Sequence, residues 1–155
     1  MAEGERRRHG PVFWFVVVVL GGFALAQLVP YGHDHSNPPV TKEPAWDSAR
    51  TRQLAAAACF DCHSNQTTWY WFTNVAPISW LTQHDVEEGR AALNFSEWDR
   101  PQEGAGDIAE MIRSGEMPPF YYGIVHRAAQ LSDAEKQRLI AGLQRTFAAS
   151  PPIGG

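Results

Sequence analysis

A-C-F-D-C-H-S-N-Q-T-T-W, residues 58–69, holds both cysteines of the 155-residue chain, Cys59 and Cys62, with His63 directly after the second. A disulfide across two intervening residues is the plainest use of the pair, but the loop it closes is too short to stabilise a fold much. A redox C-x-x-C usually follows a strand, whereas alanine-rich sequence with helical character precedes this one. A structural zinc site needs four ligands, commonly from two separated pairs, and the chain has no second C-x-x-C and no H-x-x-x-H. Adjacent Cys62 and His63 are also badly spaced to meet one tetrahedral ion. Haem uses every residue of the pattern. Two thiols three residues apart on a helical turn match the two vinyl groups of a porphyrin, and the imidazole that follows supplies the proximal nitrogen. C-x-x-C-H is the attachment signature of c-type haem.

Working outward, the sequence is helical. Asp47 or Ser48 can cap a helix through R-T-R-Q-L-A-A-A-A to the cysteines, and its alanines suit close approach by another helix. A second helix is expected from about Ser79 to Asn94, with Trp80, His84 and Glu88 on one stripe and Gly89 as a weak point of about 1 kcal/mol relative to alanine. A third covers roughly residues 106–114, its Ile108, Met111 and Ile112 at i, i+3, i+4, with Gly115 placed to end it. The fourth opens on the capping box Ser132-Asp133-Ala134-Glu135 and carries Leu139, Ile140, Leu143 and Phe147 on one face. Asp133 near its start and Arg145 near its end suit the helix dipole. No run alternates as a strand would. The connections at 64–78 and 115–131 are long, and such connections need something to pack around. A buried cofactor meets that need.

Upstream, Val12 to Val29 is an 18-residue stretch without a charge, preceded by Arg6, Arg7 and Arg8. A spanning helix needs about 20 apolar residues, with a range of roughly 17–25. The arginines orient that end to the cytoplasm and send the remainder across. Ala24-Leu25-Ala26 offers the rival reading of a cleaved signal peptide. Either way the domain lies outside the cytoplasm. The organisation expected is a cytoplasmic N-terminus at 1–11, an anchor or signal segment at 12–29, a proline-rich linker at 30–45, a haem domain at 46–149 and a flexible C-terminus at 150–155. His33 and His35, in the linker, are expected to be solvated.

Net charge is −4. Residues 1–30 hold three arginines against two glutamates, giving +1, and the remainder holds ten basic against fifteen acidic side chains, giving −5. An acidic domain is unsuited to a polyphosphate backbone, so nucleic acid is excluded as a partner.

The sixth iron position decides the chemistry: a protein ligand there suits electron transfer, and an open position suits gas binding or catalysis. Met117, in S-G-E-M-P-P-F, lies on a strap fixed by Gly115, Pro118 and Pro119, and its soft thioether suits iron. His84 is the alternative ligand. His126 is expected to be an exposed loop residue, and His9 lies on the far side of the membrane. Trp69, Tyr70, Trp71, Phe72, Trp80, Phe95 and Trp98 can wall a haem crevice or simply fill the core. Arg90 and Arg100 are available to haem propionates or to solvent. The glycosylation patterns at Asn65 and Asn94 are read as coincidence.

N-P-P-V at 37–40, C-F-D-C-H-S-N-Q-T at 59–67, P-I-S-W at 77–80, E-G-R-A-A-L-N-F-S-E-W at 88–98 and G-E-M-P-P at 115–119 resemble the bacterial haem-binding domain family of single-haem, c-type, membrane-attached proteins. Tyr70 departs from it where relatives are expected to carry proline. More distantly, the order of helix, C-x-x-C-H, long loops, M-P and L-S-x-x-E helix resembles class I cytochromes c. The helical signals and the charge-free stretch give an all-α domain of about four helices around one haem, preceded by one N-terminal transmembrane helix, and the resemblance to class I cytochromes c makes that domain cytochrome c-like. It implies that the first and last helices of the domain cross, with Ala55 meeting Leu139 and Leu143. It also implies that a carbonyl at Ala76-Pro77 accepts the ring N–H of His63.

The function expected is one-electron transfer by a membrane-tethered carrier, or a subunit of an electron-transport complex, on the periplasmic side of the bacterial cytoplasmic membrane. Cys59 and Cys62 hold one covalent haem c, and His63 and Met117 ligate its iron. Membrane electron-transport proteins with a basic docking patch are the expected partners. The alternative is a peroxidase-like haem enzyme or a gas or redox sensor with an open sixth position.

Overall fold

Helix-capping and periodicity signals place most of the secondary structure correctly. In the computed structural model, which describes residues 10–154, the α-helices are α1 (Pro11–Ala26), α2 (Ala49–Ala58), α3 (Phe60–His63), α4 (Ile78–Ala92), α5 (Ile108–Ser114), α6 (Phe120–Val125) and α7 (Asp133–Ala149). Single 3-10 turns lie at Trp71–Asn74, Glu103–Ala105 and Arg127–Ala129, and the described residues form two isolated bridges but no strand. The all-α expectation holds, with seven helices where four were anticipated in the domain and one before it. The short α3 and α6 lie outside those five because neither is long enough to show a period.

Local chemistry explains the boundaries. Ser48 caps α2 by accepting the Thr51 N–H at 3.1 Å. Ser132 caps α7, and Glu135 returns its carboxylate to the Ser132 N–H at 3.1 Å, completing the box. Gly115 ends α5 in the left-handed region, at φ +80°, where a side chain is strained. Arg145 does not act on the end of α7, whose last turn has no basic residue; it pairs with Asp47 at 2.8 Å.

The chain divides into two units. The first comprises residues 1–34 and 70–83, and the second residues 35–69 and 84–155. In the first, α1 buries none of its residues. At 1.5 Å per residue its sixteen residues extend about 24 Å, against about 30 Å of bilayer hydrocarbon. Among the described residues no helix is long and apolar enough to cross a membrane. The helix covers only part of the 12–29 stretch, ending at Ala26; the side chain of its C-cap Gln27 donates to the Ala76 carbonyl and accepts from the Ala76 N–H, at 3.2 and 3.0 Å. The expected cytoplasmic arginines and His9 lie outside the described residues, as does Gly155.

In the second unit the core joins Leu54 and Ala55 of α2 to Leu139, Ile140 and Leu143 of α7, with Phe60, Phe95, Trp98 and Ile112. The crossing of α2 and α7 is therefore present. It is close enough that a Cβ on Gly142 would overlap the Thr51 side chain. Each buried leucine or phenylalanine side chain contributes about 1.5–3 kcal/mol relative to exposure. Residues 37–46 run extended but are bound down. Asn37 donates to Thr67 O at 2.9 Å, Arg52 grips Glu43 at 2.6 Å, and Trp46 joins the aromatic core.

Candidate functional site: a cavity around the cysteine–histidine turn

Cys59 closes α2 and breaks its regular dihedrals at φ −127°, after which a single turn carries the chain to His63. The His63 N–H donates to Cys59 O at 2.8 Å, so Cys59, Cys62 and His63 sit on one helical turn. That turn is held from several sides. Phe95 N–H donates to His63 O at 2.8 Å, Thr67 Oγ1 to Asp61 O at 2.8 Å, and Asn65 N–H to Ser96 Oγ at 2.9 Å. Asn94 Nδ2 reaches Asn65 Oδ1 at 2.9 Å, and Gln102 Oε1 accepts the Asn94 N–H at 2.7 Å. Asn65 and Asn94 are buried members of this network, which leaves neither available for glycosylation. Fully satisfied buried networks of this kind fix one conformation.

Arg90 belongs to the same frame. Its guanidinium donates to Ser64 O, Asn37 Oδ1, Thr67 Oγ1 and Ser36 O at 2.9–3.2 Å, joining the 37–40 segment to the loop after His63. It is therefore a structural arginine rather than a merely solvated one. Arg100 is likewise engaged, with Glu97 at 2.9 Å and Arg90 O at 2.7 Å. These roles are invisible in sequence because the carbonyl acceptors leave no compositional trace.

The sequence motifs converge on a cavity of about 450 Å³ lined by Cys59, Cys62, His63 and Met117. Cofactor sites span about 300–1,000 Å³. Ile108, Met111 and Ile112 supply one wall, so the i, i+3, i+4 stripe of α5 is a cavity wall, and Leu139 of α7 contributes as well. Met117 is positioned by its own N–H, which donates to Met111 O at 3.0 Å. Met111 is a second thioether on the same cavity, noticed in sequence only as part of a helical stripe.

The ring of His63 is oriented by α4. Its Nδ1 lies 2.9 Å from Gly89 O and 3.1 Å from Leu93 O. Both partners only accept, so Nδ1 carries the proton and Nε2 retains the lone pair that can bind a metal. The acceptor expected at Ala76-Pro77 is thus replaced by two carbonyls at the C-terminal part of α4, while Ala76 O accepts from Gln27. Gly89, read in sequence as a weak point, permits this approach. A Cβ there would stand 2.5 Å from Cys62 O and 2.9 Å from Cys62 C.

Burial sets the protonation states. It pushes both cysteine thiols up to about 12, reinforced at Cys62 by Asp85 and Asp61, and it lowers the basicity of His63. Cys59 and Cys62 are free neutral thiols, and His63 is a neutral imidazole. Among the described residues no group of three or more His, Cys, Asp or Glu is placed to hold a metal ion, so a zinc site has no ligand set here.

Other expected participants lie elsewhere. His84 is exposed on α4 and does not line the cavity. His126 is half-buried, stacked on Tyr122 at 4.0 Å between ring centroids, and is not the exposed loop residue anticipated. Phe95 and Trp98 fill the core; the cavity's aromatics are Tyr121 and Tyr122 of α6. Tyr121 donates to Asp85 at 3.0 Å and Tyr122 to Asp61 at 2.7 Å, tying α6 to α4 and to the cysteine turn. Nothing in the local sequence F-Y-Y-G announces either bond. His35 stacks on Trp69 at 4.3 Å, while His33 is exposed.

Two thiols, an imidazole with a fixed tautomer and two thioethers meet around one largely apolar cavity, and imidazole and thioether are both donors that haem iron accepts. The model of the haem-binding domain family matches residues 21–145. No curated protein matches the chain, and no solved structure does. The match covers most of the sequence and contains the whole cavity, and the chain belongs to the haem-binding domain family.

Proposed function

We propose that this haem-binding chain is a membrane-tethered, single-haem, c-type electron carrier, or a subunit of an electron-transport complex, on the periplasmic face of the bacterial cytoplasmic membrane. The observation that carries the proposal is the meeting of Cys59, Cys62, His63 and Met117 on one cavity, with Nδ1 of His63 already committed to two carbonyls. The neutral thiols of Cys59 and Cys62 hold the group. Their sulfurs would be the points of covalent attachment, both on the turn that ends at His63. His63 Nε2 and the Met117 thioether would be its two iron donors. When bound, the group supplies a one-electron ferric/ferrous couple.

The chain's own residues set the conditions of that couple. Hydrogen bonds from His63 Nδ1–H to Gly89 O and Leu93 O fix the ring and increase the donor strength of Nε2. A thioether as the second donor would raise the potential relative to a nitrogen donor. The apolar walls from α5 and α7 exclude water, which acts in the same direction. For an enzyme or sensor the distal side would need an open position and a base; His84 is exposed and does not line the cavity, whereas Asp85 and Glu88 do, so the preference for the carrier rests on Met117 as the sixth donor.

The membrane tether is supported by the charge-free stretch 12–29 and by α1, which exposes its valines, leucines and aromatics without covering them. A tether restricts the search for membrane partners and raises effective concentration. The acidic domain favours a partner with a basic patch, and its docking rate should fall as ionic strength rises. Absorption spectra of the protein purified from membranes test the ligand assignment. A sharp low-spin reduced spectrum with a weak far-red iron–sulfur band on oxidation supports it; a high-spin ferrous form that takes up carbon monoxide overturns it.

A further inference from the structure

The described part of the first unit is almost without charge. Its described residues, 10–34 and 70–83, contain one charged side chain, Asp34, at the very end of the first segment. Its second segment, Y-W-F-T-N-V-A-P-I-S-W-L-T-Q, has none, yet it exposes Trp71 by 78%, with Ile78, Leu81 and Tyr70 also open. Soluble proteins seldom combine a contiguous apolar exposure with a total absence of charge.

Residues 70–83 are attached to the C-terminal end of α1. The Gln27 amide is bonded twice to the Ala76 backbone. Gly32, at φ +92°, lies against Ser79 so closely that a Cβ would stand 2.7–2.9 Å from its atoms. Leu28, Val29 and Tyr31, between those two attachments, are exposed as well. The apolar surface of α1 therefore continues through 28–31 onto 70–83 without a charged residue between them.

We infer that residues 70–83 form an interfacial foot that rests in the bilayer surface beside the end of α1. The inference deepens the tether of the proposed function and rests on it. Tryptophan and tyrosine favour the headgroup level, where an apolar ring and a polar edge are both accommodated. Several N–H groups of the segment are used internally, which suits a site poor in water: Thr73 to Tyr70, Val75 to Phe72, Ser79 to Val75 and Leu81 to Pro77. Thr73, Asn74 and Thr82 turn their side chains back onto carbonyls of the same segment. The foot also answers the shortness of α1. A hydrophobic helix below the bilayer thickness is accommodated by local thinning and by interfacial anchors at its ends.

The test is photolabelling of the full haem-loaded chain in vesicles of phosphatidylcholine with a minority of phosphatidylglycerol. A diazirine carried on the lipid acyl chain, close to the headgroup, is compared with a water-soluble diazirine, and adducts are mapped by peptide mass spectrometry. The inference expects lipid-borne adducts on both 11–29 and 70–83, with Trp71 and Leu81 among the labelled positions. Lipid adducts on 11–29, with 70–83 labelled only from water, overturn the foot and leave the tether standing. Segment 70–83 labelled by neither reagent overturns it in favour of a protein that covers this face. Lipid adducts on neither segment overturn the foot and the tether together.

Discussion

Replacing Gly89 by alanine sets two effects of known size against each other. In a helix interior the substitution alone should stabilise by about 0.8–1.0 kcal/mol. The structure opposes it. The new Cβ would fall 2.5 Å from the carbonyl oxygen and 2.9 Å from the carbonyl carbon of Cys62. These are backbone atoms of the cysteine turn, held by the bonds around His63, and they cannot swing aside as a flexible side chain would. Overpacking of this kind costs about 1–3 kcal/mol, and a rigid neighbour puts the cost in the upper part of that range. Moving α4 away to relieve the contact lengthens the bond from His63 Nδ1 to Gly89 O, worth a further 0.5–1.5 kcal/mol or so. The net expectation is a loss of about 1.5–3.5 kcal/mol. Urea unfolding followed by circular dichroism measures it directly. In thermal unfolding each kcal/mol corresponds to about 4–8 °C for a domain of 60–100 residues. Gly106→Ala is the control, since a Cβ there meets nothing and the backbone is already in the right-handed helical region; it should be neutral or stabilising by up to about 1 kcal/mol. A G89A protein more stable than the parent, with unchanged haem spectra, would refute the close approach of α4 to the cysteine turn.

Met117→Ala should abolish the far-red band and give a high-spin iron that binds added imidazole, while Met111→Ala leaves the spectrum unchanged; the reverse pattern assigns the iron to Met111. Ser132→Ala removes the α7 cap and half of its box, and should cost about 1 kcal/mol in chemical unfolding without moving the reduction potential. The hydrogen bond from Arg52 holds the Glu43 carboxyl below the ordinary glutamate range, helped by Trp46, so its stabilisation is complete above that range and disappears as pH falls through the lowered folded value. Glu43→Gln should therefore cost about 1 kcal/mol at neutral pH, discounted because Arg52 is partly exposed, with the difference vanishing in acid.

The helices legible in the sequence are those with terminal signals, Ser48 for α2, Gly115 for α5 and the Ser132–Glu135 box for α7, together with α4, whose Trp80, His84 and Glu88 stripe sufficed without one. The cysteine–histidine turn and Met117 were legible because their residue types are rare here and their chemistry is specific. What escaped was tertiary. The carbonyls of Gly89 and Leu93 belong to any residue type, so the orientation of His63 could not be read locally. Gly89 looked like a flaw in α4 because a helix propensity describes the helix alone, whereas its missing Cβ admits the backbone of Cys62. The eleven residues 88–98 make sense only once Arg90, Asn94 and Ser96 are seen bonding the loops around His63. Residues 70–83 looked like a crevice wall from their aromatics. Their attachment to the end of α1 depends on Gln27, which the hydropathy of 12–29 conceals.

Covalent attachment is the claim on which the rest depends, and the intact mass of the denatured protein tests it most directly. The account predicts a chain heavier by one haem after acid and organic denaturation, with that mass lost when Cys59 and Cys62 are both replaced by serine. A denatured chain at its bare polypeptide mass, purified from cells that assemble c-type haem, would contradict the roles given to both cysteines.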